Sequence, residues 1–300
     1  MRRLITVPLT LAVVVLAYFG IGAVVVHQID DDPAFAVDVA TPEGGLRTVA
    51  AMAALLEREI DRTGWVANDP AFQPGAWLVA MPAYQIAIRD AIDRLAADFA
   101  AGRTADGLEA SPELEAARLS LAMPGDVWAF DFTKTWRPQR TSEAFYRDAV
   151  GALRRFNARV AIGEEGSGLG PLTVASVLQR VDDELNLMAE AALAHVAARG
   201  GHWLDEVGTP SFFTAKGTLY AHFVLLRALG EDVEGLGRAA GWGRFLTSLE
   251  AAATLHPAWV MNGHAEGTLR PAHLATQAAL VLRAQRDLDQ VRRALAAMDA

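Results

Sequence analysis

The chain reads as all-α, with an N-terminal transmembrane helix followed by an extracytoplasmic multi-helix bundle of long antiparallel helices. Three observations predict this. Residues 4–26 form an unbroken apolar run, with no charged side chain between Arg3 and Asp30. Beyond it, apolar residues recur at steps of three and four, the period of one helix face. Only residues 127–137, VWAFDFTKTWR, partly alternate as a strand would, and a lone strand has nothing to pair with, so extended loop is expected there.

A helix needs about 20 apolar residues to cross a hydrocarbon core of about 30 Å, and the run is long enough to do so with some tilt. A cleavable signal peptide has a shorter apolar core, roughly 7–15 residues, and a small-x-small cleavage site. Here the run is longer and ends in VVVHQ, so an uncleaved signal anchor is expected. Arg2 and Arg3 precede it, Asp30, Asp31 and Asp32 follow, and the next basic residue is Arg47. Basic flanks stay on the cytoplasmic side, which predicts a single-pass protein of a bacterial inner membrane, N-terminus cytoplasmic and C-terminal domain periplasmic. Residues 1–27 are then stub and anchor, 28–40 an acidic linker with Pro33, and 41–300 the helical domain.

Composition narrows the function. The net charge is −9, and the part outside the membrane, with 25 basic against 36 acidic residues, carries −11. That argues against nucleic acid and against a broad electrostatic hold on anionic lipid. There is no cysteine, so packing alone must stabilise the domain and thiolate zinc sites are excluded.

In order along the domain, Thr41-Pro42-Glu43 reads as a helix start, with Leu46, Val49, Ala53, Leu56 and Ile60 on one face and Gly64 as the stop. Residues 65–82, WVANDPAFQPGAWLVAMP, combine three prolines with two tryptophans and are too apolar for a solvated loop. Two readings stand: packing on the helices, or a groove for a partner or ligand lined by Trp65, Phe72 and Trp77. A helix over 83–100 carries Ile88, Ile92, Leu95 and Phe99. Ser111-Pro112-Glu113 opens a shorter helix that stops at Met123-Pro124. Residues 142–162 form another, with Phe145, Ala149, Leu153, Phe156 and Val160.

The break after it, GEEGSGLGP, lacks the strand before and the Gly-Lys-Ser/Thr after that a phosphate loop requires. Glu164 and Glu165 lie there and are the weak catalytic candidates among the carboxylates. Residues 172–199 form the longest helix, where Val174, Leu178, Val181, Leu185, Met188, Ala192 and His195 make a heptad seam. His195 is a core histidine or an acid/base group. Gly200-Gly201-His202-Trp203 closes the helix. Thr209-Pro210 starts the next, to Leu229, and places Lys216 among Phe212, Phe213, Leu219 and Tyr220; its stem packs while its ammonium reaches water, or it pairs with Asp183 or Glu184. Residues 231–255 are helical but loosened by glycines. Arg270-Pro271 opens a last helix with a second seam, Val281, Ala284, Leu288, Val291, Leu295 and Met298, whose obvious partner is the first. His256, His264 and His273 lack metal-ligand spacing, and no metal or cofactor is expected.

The anchor, the segment Gly64-Trp65-Val66-Ala67-Asn68-Asp69-Pro70 running to Met81-Pro82, and the helical remainder together resemble the DUF2333 family of uncharacterised bacterial membrane proteins. The resemblance implies location and shape and supplies no functional residues. The expectation for function is a non-enzymatic envelope interaction or scaffold protein with a protein partner. The alternatives are a periplasmic hydrolase or transferase using Glu164, Glu165 and His195, and apolar-ligand binding between helices with Lys216 holding an acidic headgroup.

Overall fold

A computed structural model of the chain describes residues 2–35, 39–133, 136–200, 207–257, 260–261 and 271–298. Among these the protein is helical throughout, with no strand. The helices are α1 (Arg2–Val26), α2 (Arg47–Glu57), α3 (Ala80–Ala105), α4 (Pro112–Leu121), α5 (Ser142–Ala161), α6 (Pro171–Arg199), α7 (Gly208–Asp232), α8 (Trp242–Ala253) and α9 (His273–Met298). A π-turn, Arg58–Arg62, extends α2, and 3-10 turns occur at Pro74–Trp77 and Leu236–Arg238. The predicted cap residues Gly201, His202 and Trp203, and His264 of the histidine cluster, lie outside the described residues.

α7 is the axis of the domain. Leu219, Tyr220, Ala221, Val224, Leu225, Leu226 and Leu229 are all buried along it, with α2, α3 and α8 packed around. It crosses α3 closely at Gly217, where an added Cβ would lie 2.4 Å from the Tyr84 carbonyl oxygen. The predicted seam pair is present: Val174, Leu178, Val181 and Leu185 of α6 pack with Val281, Ala284, Leu288 and Val291 of α9. Arg292, near the end of α9, bonds Asp182 in the first half of α6 at 2.8 Å, and Leu295 and Ala296 line one groove with Pro171 and Val174 at the start of α6, so the two helices run antiparallel.

Local signals were read correctly at several ends. Ser111 Oγ accepts from the Leu114 amide, and Gly64 takes the left-handed φ of 80° that closes the π-turn. The predicted start at Thr41-Pro42 is displaced. Gly44, at φ 79°, and Gly45 make a turn there instead, and α2 begins at Arg47. Its orphan amides are capped from outside: Asn157 Oδ1 accepts from Leu46, and the Asp232 carboxylate accepts from Arg47 and Thr48. An anion on a helix N-terminus does the work assigned to Thr41. Glycine also divides the helix expected over 231–255, since Gly235 and Gly241 are both left-handed, with φ of 85° and 97°.

α1 is apolar over Val7–Val26, long enough to cross a membrane. Within that stretch only Phe19, Gly22, Ala23 and Val26 are partly covered, and these are spaced i, i+3, i+4, i+7 on one face. The covering group is the 3-10 turn at Pro74–Trp77, packed closely enough that a Cβ on Gly22 would sit 2.4 Å from Pro74 Cγ.

Candidate functional site

Where α1 meets the domain, the acidic segment that follows it is bonded to interior side chains, with Asp31 buried, Asp30 partly covered and Asp32 exposed. Lys216 is fully buried on α7, and its ammonium donates to Asp31 Oδ2 at 2.6 Å and to the Leu255 carbonyl at 2.7 Å. Tyr84 on α3 donates to the Asp30 carbonyl at 2.8 Å, and Tyr220 on α7 to the Asp32 carbonyl at 2.9 Å. Arg58, in the π-turn, lies 3.4 Å from Asp30 Oδ1, donates to Glu59 and Tyr220, and stacks over Phe35 and Tyr220. Gln85 joins Glu59 to the Gly64 carbonyl. The segment treated as a linker is therefore held, over residues 30–35, by two buried cations and two buried tyrosines.

The electrostatics suit a structural seat. Burial pushes both tyrosines up, so each remains a neutral donor. Burial raises the Glu59 carboxyl as well, opposed by Arg58. Burial works against the Arg58 charge, and Glu59, Tyr220, Tyr84 and Asp30 outweigh it. Burial also lowers Lys216, with Asp31 opposing. Charges out of water persist only when paired and hydrogen-bonded, and here both cations are.

This placement corrects three expectations. The Lys216 ammonium neither reaches water nor pairs with Asp183 or Glu184; its partner is Asp31, because Glu184 is already occupied by Arg94, Arg180 and His222 at 2.8, 2.8 and 2.9 Å. Consumed by two intramolecular acceptors, it is not placed to hold a ligand headgroup. Trp65 lines no groove: it is buried, donates to the Gly125 carbonyl at 2.8 Å and packs edge-on against Tyr146. Phe72 and Trp77 are exposed, Trp77 by 70%.

The acid/base candidates do not come together. Glu164 is exposed beyond the end of α5, whereas the Glu165 side chain is 5% exposed between Arg159 at 3.0 Å and Arg103 at 3.6 Å. That is a structural ion triad beside the start of α6. His195 lies 24 residues further along that helix, about 36 Å away at 1.5 Å per residue. No group of three or more potential metal ligands occurs among the described residues. A groove of about 620 Å³ opens between the start of α6 and the end of α9, lined by Leu169, Val174, Leu178, Leu236, Arg292 and Leu295.

Arg58, Tyr84 and His222 have no place in the sequence analysis, and Tyr220 enters it only as a neighbour of Lys216. The available signal was polarity out of register: an arginine and a glutamate at the end of an otherwise apolar helix, and a histidine inside the run LYAHFVLL. Comparison with protein-family models, with curated proteins and with solved structures finds no match to this chain.

Proposed function

We propose that the protein is a single-pass inner-membrane protein whose α1 crosses the bilayer with its N-terminus in the cytoplasm, and whose helical domain serves outside as a non-enzymatic scaffold that binds another envelope protein. One observation carries the reading: the chain leaving α1 is bonded into the domain interior through Asp31–Lys216 and Arg58, so the domain is mounted on its anchor. A mounted domain presents its surfaces at a fixed attitude to the bilayer, which is what a scaffold requires. The basic residues before α1 and the acidic ones after it support the orientation. Membership of the DUF2333 family belongs to the same proposal and rests on residues 64–82.

The chain's lack of cysteine makes the topology directly testable. Leu172→Cys, at an exposed site on α6, should react with a membrane-impermeant maleimide in intact spheroplasts, and Arg2→Cys only after lysis. The reverse pattern would overturn the orientation, and equal labelling of both would overturn the span. Crosslinking in membranes followed by affinity capture then tests for the protein partner; repeated recovery of the chain alone counts against the scaffold.

The α6–α9 groove favours a second reading, an apolar ligand between helices. Its size suits a small lipid-like molecule. Val174→Trp should fill it and abolish binding of a fluorescent fatty acid, if the wild-type chain binds one.

A further inference from the structure

Among the described residues, the exposed aromatic side chains of the domain lie on two adjoining loops, the first of which packs on α1. Trp77 meets Phe19 of α1 edge-on, with ring centroids 5.8 Å apart. On the same 65–79 loop Phe72 meets Trp128 at 5.7 Å, and from there rings continue through Phe130 and Phe132 to Trp136, each 5.3 to 5.7 Å from the last. Phe72, Trp77, Phe132 and Trp136 are all exposed, Trp136 by 83%. Single exposed apolar residues need no explanation, but a connected surface of large rings does.

Depth along α1 identifies the occupant. Phe19 precedes Val26 by seven residues, so the Trp77 ring reaches back about 10 Å from the exit end of the apolar helix. For a helix whose apolar span of about 30 Å matches the hydrocarbon core, this is the acyl region of the outer leaflet, where a large apolar ring is favoured and the indole N–H must be satisfied within the protein, as the Ala71 carbonyl does at 3.1 Å. Gly22 allows the close approach, with Pro74 lying where a side chain would otherwise stand. The domain's net negative charge gives little electrostatic attraction to anionic lipid, leaving contact to apolar rings.

We propose that Phe72, Trp77, Phe132 and Trp136 form a membrane-seating surface that lies in the outer leaflet of the bilayer α1 crosses. The inference rests on the reading of α1 as a membrane span. The occupant is lipid, since a protein covering Phe72 and Trp77 would itself have to lie at the depth of Phe19. The domain then touches the bilayer at two places, α1 and the aromatic surface, which stops it from rotating about its anchor.

The test uses the full chain in phosphatidylcholine vesicles, with single cysteines carrying an environment-sensitive fluorophore at Val14, Phe132 and Leu172. Doxyl-labelled phosphatidylcholine should quench Val14→Cys and Phe132→Cys, the latter by roughly twofold, as for an interfacial position, and leave Leu172→Cys unchanged. Aqueous iodide should quench only Leu172→Cys strongly. Quenching of Phe132→Cys by iodide and not by lipid, with Val14→Cys still lipid-quenched, overturns the seating surface and leaves the span standing. Shielding of Phe132→Cys from both quenchers overturns it in favour of contact between copies of the chain. A Val14→Cys probe untouched by lipid removes the span and the surface together.

Discussion

Lys216 carries a charge into the interior of the domain, and its counter-charge lies 185 residues away in Asp31. Asp31→Ala leaves a buried ammonium with one carbonyl and no counter-charge, and breaking such a pair from one side costs about 3–5 kcal/mol. Lys216→Met removes the charge that needs solvation, and Asp31 keeps a contact with the largely exposed His256 at 2.9 Å. Denaturant titration should therefore rank Asp31→Ala well below Lys216→Met; the opposite order would mean that the lysine is not effectively desolvated. A second pair yields a pH dependence. Burial acts to raise Glu184, but the His222 bond and charge and two arginines outweigh it and hold the carboxyl near 2, against an ordinary 4.5. Burial lowers His222 in turn, opposed by Glu184. A depressed carboxylate stabilises the fold above its unfolded value and loses that contribution as pH falls through the window from 4.5 to about 2, here about 3 kcal/mol. His222, whose protonation burial disfavours in the fold, adds a loss of stability as pH falls below its ordinary 6.5. Asp69, raised by burial and by Glu143 to about 6, runs the other way, so the measurement must be a difference. The stability gap between wild type and Glu184→Gln, followed from pH 7 downward, should shrink with acid; a constant gap would contradict the assignment.

At the scale of elements, close crossings decide more than helix propensity does. Ala is favoured over Gly in a helix by about 1 kcal/mol, so Gly217→Ala on α7 should stabilise in isolation. Inside the bundle its Cβ would meet the Tyr84 carbonyl at 2.4 Å, a backbone atom that cannot rotate away, and overpacking costs about 1–3 kcal/mol. The expected outcome is a net loss of about 1 kcal/mol or more on thermal or denaturant unfolding, and a stabilised variant would mean that α3 and α7 part easily. Periodicity gave the existence of most helices and the α6–α9 pairing, because a heptad seam of Val, Leu and Ala has one low-energy use. It did not give the start of α2, where a Thr-Pro-Glu signature lost to Gly44-Gly45 and to Asn157 and Asp232. Those caps arrive from α5 and α7, and nothing local announces them. Nor could the sequence reveal that Asp31 is buried and that the Asp30 and Asp32 carbonyls accept from buried tyrosines: an acidic triplet after an apolar run reads equally well as a topology signal.

At the scale of the whole molecule, the difference between a tether and a mount can be measured. Added Cβ atoms at Gly22 would lie 2.8 Å from Pro74 Cβ, within about 1 Å of the separation a disulfide takes. Gly22→Cys/Pro74→Cys should oxidise readily and nearly completely in membranes, without loss of the folded domain. Slow, partial oxidation would indicate a domain swinging on residues 28–40. The candidate site was legible only in parts. Phe72 and Trp77 stood out as aromatic residues in a proline-rich segment, and residues 127–137 as the aromatic-rich loop, but their continuity across two loops depends on tertiary structure. Trp65, identical in chemistry and five residues from Pro70, went to the core instead because its indole found the Gly125 carbonyl.

The seat of Asp31 on Lys216 also sets an order of events during synthesis. As the chain is made, Asp31 comes first, while Arg58, Tyr84 and finally α7 follow; the seat is incomplete until Lys216, in a chain of 300 residues, has been added. Until then Asp31 has no buried cation to meet, and long-range closures of this kind are slow because loop entropy is lost before any contact rewards it. The first part of the domain to be synthesised is thus among the last to fold, and the nascent chain must be kept from aggregating through that interval.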